Sequence, residues 1–308
     1  MNVLGAPGRR LLSGGSYWIW YILPALLVYF FFMAYPLLDS MRLSLYTGSS
    51  SANRSFVGMQ NFINLFTDPI HRAHYFNAIG NTVYFFIIHM LVQNVLGMIF
   101  AVMLTNPRMR GRKIYQTLIF LPTTFAILVT GYLWKLLLNP IWSRGLLSEL
   151  GLASLVRPWL GSESTALTAV SLVSCWQWVG IPTMMFVAAL LGISDDLFEA
   201  AEIEGASKWQ VFWHIKLPLV KPVVGIIAIL TFVNNFNAFD VVFSMQGVNG
   251  PPGYSTDLMG TLFYRVGIAG QHPIGIPDPG MGAAIATITF LILVAGSLFV
   301  LNATRTKG

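Results

Sequence analysis

Residues 281–301 read MGAAIATITFLILVAGSLFVL, with no charged side chain from end to end. A helix needs about 20 mostly apolar residues to cross the hydrocarbon of a bilayer. This stretch has that length and nothing in it that requires water. Five further windows share its character: 18–38, 79–104, 114–138, 166–191 and 222–243. Pro24, Pro122 and Pro182 fall inside them, which membrane helices tolerate. The expected fold is therefore an all-α membrane protein of about six transmembrane helices. It divides into an N-tail at 1–17, a transmembrane domain at 18–301 and a C-tail at 302–308.

Composition agrees with the windows. Of 308 residues, 55% are hydrophobic and only 10% are charged, against about 25% charged in a soluble domain. A single cysteine, Cys175, excludes an internal disulfide and a cysteine-built metal site. No His-Glu-x-x-His pattern occurs among the five histidines, and His71 and His74 read as solvated side chains in a polar loop. Arg9 and Arg10 precede the first apolar run as in a signal peptide. That run is too long and lacks a small-residue cleavage site, so it reads as an uncleaved crossing.

Charge sets the orientation. The N-tail, 105–113, 192–221 and the C-tail carry eleven Lys and Arg, whereas the three opposite loops carry six, balanced by six acids. The positive-inside rule then places both termini in the cytoplasm. The net charge of +6 thus reports topology, and no nucleic-acid partner is called for. Within the windows only Lys135 and Asp240 carry charge, each near an outer end. A proton-coupled carrier is expected to hold carboxylates deeper.

The segment after the fourth window reads DDLFEAAEIEGASKWQVFWHIKLPLVKP, Asp195 to Pro222. Asp195 and Asp196 are suited to cap a helix and to face its positive end, and Gly205 suits its end. Ser207 can cap a second helix holding Trp209, Val211, Phe212 and Ile215, which Pro218 is expected to close. Two short angled helices on the cytoplasmic face result. On these grounds alone, an ordinary amphipathic loop remains equally open.

Glu199-Ala200-Ala201, Gly205, Ile215 and Leu217-Pro218 resemble the EAA motif of ABC-importer permeases at every fixed position, within 195–218. GMQNFINLF (58–66), MRGRKIYQTLIFLP (109–122) and PGMGAAIATITFLILVAG (279–296) are similar to carbohydrate-type permeases. GYSTDLMGTLFYRVGIAG (253–270) and LNATR (301–305) resemble the F-type membrane subunit of maltose importers. The chain departs from that subunit in its short first outer loop, 39–78, and is expected to lack extra N-terminal spans. The resemblance implies the type I ABC importer permease fold, with 195–218 as coupling helices seated on an ATPase. It also implies two ATPase subunits, a second homologous permease and a periplasmic or lipid-anchored solute-binding protein. No Gly-x-x-x-x-Gly-Lys-Ser/Thr loop occurs here, so ATP and magnesium are expected on the partner ATPase and no cofactor on this chain.

A polar solute needs hydrogen-bonding and aromatic groups on one helix face. Trp176, Gly180 and Thr183 share a face of the fourth window, as do Thr231, Asn235 and Ala238 in the fifth. Asn234 and Asn237 lie on an adjacent stripe. The same residue types also join membrane helices to one another, so both roles stay open on spacing. The resemblance implies substrate contact at Trp176, Gly180, Thr183, Thr231 and Asn235. Two further positions polar in that family are Ile127 and Ala238 here. His89, Gln93 and Asn94 in the second window read as interhelical contacts. The expectation is a permease subunit for a di- or oligosaccharide. Glycerol-3-phosphate or a polyol in the same machinery, or an ion-coupled secondary carrier, are the alternatives.

Overall fold

The computed structural model describes residues 17–49, 53–270 and 275–304. Arg9, Arg10, Arg305 and Lys307, which entered the charge argument, lie outside the described residues. Four helices are each long and apolar enough to cross a bilayer: Tyr21–Leu43 (span one), Pro69–Leu104 (span two), Lys208–Phe236 (span five) and Pro279–Thr304 (span six). Two more spans are broken pairs. Arg112–Thr124 and Ile127–Leu137 meet at 96° (span three), and Glu163–Trp178 and Gly180–Leu191 meet at 44° (span four).

Both breaks have local causes. Pro122 lies at the start of the 3₁₀ turn Leu121–Thr124, and Phe125 and Ala126 are extended, with ψ of 143° and 129°. In span four, Pro182 has no N–H to give to the carbonyl one turn earlier, at the junction formed by Val179 and Gly180.

Span one is apolar on every side and none of its crossing window is buried, as suits a helix facing lipid. Its later part, Tyr35–Leu43, packs on span six. The second halves of spans two and four pack together, as do spans five and six. A Cβ on Gly97 would lie 3.2 Å from Pro182 Cβ and from the Thr183 backbone nitrogen. The absence of a side chain is what lets these two backbones approach. One core cluster gathers Met98, Leu104, Phe186, Leu190 and Val220 at the end nearest 195–211. Another, at the opposite end, joins Leu65, Tyr75, Met259 and Met281.

The first outer loop is tied down rather than loose. Tyr46–Thr47 and Ser55–Phe56 form a two-stranded antiparallel ladder, the only strands among the described residues. Asn61 donates to the carbonyls of Ser44 and Tyr46, each at 2.8 Å.

Three sequence expectations need correction. The fifth window, 222–243, is not one helix: span five stops at Phe236, and Asp240–Gln246 forms a separate helix packed on Ile127–Leu137. Pro218 does not close the helix begun at Lys208. A π turn at Phe212–Lys216 carries the chain into Leu217–Phe236, with Pro218 in its first turn, where a missing N–H is tolerated. Asp195 and Asp196 do not cap their helix, since Ser194 holds the N-cap position and both acids lie in the first turn.

Candidate functional site: a polar cavity between broken helices

A cavity of about 410 Å³ lies among spans two to five and the Asp240–Gln246 helix. Its wall includes His89, Gln93, Ser174, Trp178, Thr231, Asn234, Asn235, Asn237 and Asp240, together with Phe85, Ile127, Met185, Leu230 and Ala238. The cavity sits where helices depart from regular geometry. Ile127 follows the break in span three, Trp178 precedes the break in span four, and Asn237 and Ala238 follow the end of span five. His89–Gln93 is a π turn inside span two. Irregular backbone at membrane depth is stable where it is held by other protein groups or lines a cavity. Gln177, fully buried, supplies one such hold by donating to the Phe125 carbonyl at 3.1 Å.

Hydrogen bonds in the cavity wall run in one direction. The Thr231 hydroxyl donates to the Ile227 carbonyl at 2.8 Å, so its oxygen accepts from the Asn94 side-chain amide at 3.0 Å. Asn94 Oδ1 in turn accepts from Gln93 Nε2 at 3.5 Å. Beside them, His89 Nδ1 lies 2.8 Å from the Phe85 carbonyl and Nε2 lies 2.9 Å from Ser174 Oγ. A carbonyl only accepts, so Nδ1 carries the proton and Nε2 takes the serine hydrogen. Of the residues that line the cavity, Gln93 and Asn235 each have a buried atom without a hydrogen-bond partner, Oε1 and Nδ2.

Of the five residues read as substrate contacts, Thr231 and Asn235 line this cavity, and Trp176, Gly180 and Thr183 lie away from its wall. Trp176 is 42% exposed and meets Trp134 edge to face, with ring centroids 5.3 Å apart. A Cβ on Gly180 would come within 3.0 Å of the Ile119 carbonyl and Phe120 Cα, so it permits close packing of spans three and four. Thr183 is fully buried and donates to the Val179 carbonyl at 2.7 Å. His89 and Asn94 do join helices, as read from the sequence, through Ser174 and Thr231, whereas the Gln93 side chain reaches Asn94 in its own helix. His89 and Gln93 also line the cavity, because the π turn shifts the face they present. No feature of the sequence marks that turn.

The second site is the segment after span four. Asp195–Ile203 and Lys208–Val211 are helices separated by Gly205, at φ +76°. Ser207 and Gln210 form a reciprocal capping box. Glu199 and Ala200 are exposed, Ala201 is buried, and Ile215 and Leu217 are half-buried beneath them. Ile203 is 87% exposed and Trp209 69%, with Trp213 at an edge-to-face contact of 5.5 Å. Apolar groups this exposed beside charged neighbours suit contact with another protein or with the membrane surface.

Comparison with known proteins then decides the family. The family described as binding-protein-dependent transport system inner membrane component matches residues 93–307. The chain belongs to that family. It is 32% identical over 90% of its length to a probable ABC transporter permease, YurN of Bacillus subtilis, covering 92% of that protein. It is 30% identical to the lactose transport permease LacF of Rhizobium radiobacter, over 80% of this chain and 81% of that one. The trehalose/maltose permease MalF of Thermococcus litoralis is 29% identical, over 92% of each. A bacterial ABC transporter importing the acidic polysaccharide alginate superposes with a TM-score of 0.77 at 21% identity, covering 94% of this chain and 95% of that one. This likeness supports the ABC-importer permease fold. As an inner membrane component of this family the chain is a transport subunit and not an enzyme.

Proposed function

We propose that this chain is the translocating subunit of an ATP-driven importer for a di- or oligosaccharide. The observation that carries the reading is the cavity, whose polar wall is built mainly of amides and hydroxyls between apolar helices. Uncharged hydroxyls are matched by groups that both donate and accept, and aromatic faces such as Trp178 pack on sugar faces. Relatives named for lactose and for trehalose/maltose support the class. Thr231 and Asn235 are the wall residues assigned to substrate. Trp176, Gly180 and Thr183 are assigned to it through the family resemblance, reaching the solute in another state of the cycle or through the partner permease.

Energy coupling is assigned to Glu199, Ala200, Ala201, Gly205, Ile215, Leu217 and Pro218, with Ile203 and Trp209 offered to an ATPase groove. The working complex contains two ATPase subunits that hold ATP and magnesium, a second permease and a solute-binding protein. Both termini are cytoplasmic. Reporters at Arg110 and Ser207 should mark the cytoplasm, and those at Ser162 and Gly250 the outside.

A phosphorylated polyol is disfavoured, since Asp240 is the only wall residue that carries a full charge and no Lys or Arg is among them. Reconstitution of the whole complex in proteoliposomes tests the proposal. Uptake of maltose, trehalose or lactose that requires ATP and the binding protein is expected. Uptake of glycerol-3-phosphate in preference to all three would reject the sugar reading.

A further inference from the structure

The wall of the cavity contains two polar atoms with complementary needs. Gln93 and Asn235 are 7% and 5% exposed, both line the cavity, and Gln93 Oε1 and Asn235 Nδ2 have no protein partner. The direction of the hydrogen bonds settles which atom of Gln93 is left over. The Ile227 carbonyl can only accept, which commits the Thr231 proton to it and leaves the Thr231 oxygen to accept from Asn94 Nδ2. Asn94 is therefore oriented with Oδ1 toward Gln93, and Gln93 must turn Nε2 to it. Reversing the Gln93 amide would set two carbonyl oxygens against each other. The spare group is an acceptor. Asn235 follows Thr231 by one helical turn and so lies on the same face, about 5–6 Å along the axis, with a spare donor.

An orphan donor and an orphan acceptor on two residues of one cavity wall are the pattern a single hydroxyl satisfies, since it gives one hydrogen and accepts another. Buried polar groups left unpaired are disfavoured, and no aliphatic solute would relieve both. We propose that Gln93 and Asn235 jointly read one hydroxyl of the solute, Gln93 accepting and Asn235 donating. Span two thereby becomes part of the specificity site. The Ile227–Thr231–Asn94 chain acts at a distance, as a positioning device that holds Gln93 in the accepting orientation. This inference rests on the sugar reading above and adds a recognition residue that neither the helical spacing nor the family resemblance assigned.

The test uses the complete complex in proteoliposomes, with labelled maltose, trehalose and lactose as probes. Gln93→Met keeps length and removes the acceptor. It should raise the KM for the best-transported probe about tenfold. Gln93→Glu supplies the control on folding. A protonated carboxyl donates to Asn94 Oδ1 and keeps a carbonyl oxygen for the solute, so its KM relative to wild type should fall toward unity as the pH is lowered. Combining Gln93→Met with Asn235→Leu should add little to the larger single effect, because both report on one hydroxyl.

An unchanged KM in Gln93→Met, a Gln93→Glu defect independent of pH, or fully additive single effects would each overturn the proposal while leaving the sugar reading standing. Failure of the wild-type complex to carry any of the three probes would instead remove the sugar reading, and this inference with it.

Discussion

Arg265 and Asp257 form an ion pair with both side chains wholly buried, in the segment between spans five and six. Tyr254 covers the guanidinium at 4.6 Å, the Thr261 hydroxyl donates to Asp257 Oδ1 at 2.8 Å, and Asn81 donates to the Asp257 carbonyl at 3.0 Å. Asn77 and Asn81 both reach the Tyr254 carbonyl, so the pair fastens this segment to span two. A charge left alone in such a place is expensive. Arg265→Met should therefore destabilise the protein by about 3–5 kcal/mol, because it strands the Asp257 carboxylate. Adding Asp257→Leu should recover much of the loss. Thermal unfolding of the purified complex in detergent reads both effects, and a double variant no better than the single would contradict the argument.

Gly131 sets the packing between the second half of span three and the Asp240–Gln246 helix. A Cβ there would stand 1.8 Å from Ser244 Oγ and 2.7 Å from Ser244 Cβ. Gly131→Ala should lower stability by about 1–3 kcal/mol through overpacking. Ser244→Gly in the same chain should return part of it, measured by the same unfolding transition.

Gly205 occupies a left-handed turn with open space around its Cβ position. Any defect from substitution is then conformational and not a clash. Gly205→Val should reduce co-purification of the ATPase, because it re-aims the helix that carries Trp209, whereas Gly205→Asn should be milder since Asn enters that region more readily. Glu199→Gln should leave assembly intact and weaken stimulated ATP hydrolysis. Full co-purification and full hydrolysis in Gly205→Val would separate this segment from energy coupling.

Asp240 is an exposed carboxylate on the cavity wall. A carboxylate there repels anions, so uptake of a uronate disaccharide should be negligible in the wild-type complex. Asp240→Asn should raise it, while uptake of an uncharged sugar changes by less than about threefold. Equal handling of both sugars by wild type and variant would show that the charge does not filter solutes.

The local features were legible because their causes are local. Six apolar windows, the left-handed Gly205 and the Ser207 cap depend on composition or on residues within one turn, and the structure has helical segments in every window, two of them bent pairs and the fifth ending at Phe236, with a glycine turn and a capping box at the other two points. The charge distribution likewise carries the expected orientation in the sequence itself. Tertiary structure decided the rest. Whether an amide in a membrane helix glues or recognises depends on its neighbours, and Asn94 finds Thr231 across 137 residues of chain. The end of span five after Phe236 and the π turn at His89–Gln93 carry no local signal of that kind, and both lie where the helices line the cavity. Periodicity describes one helix at a time, whereas the cavity is a property of four spans at once. For that reason Thr231 and Asn235 could be placed on a polar stripe from sequence, but the role of Gln93 emerged only when a hydrogen-bond chain through a second span left its oxygen unpaired.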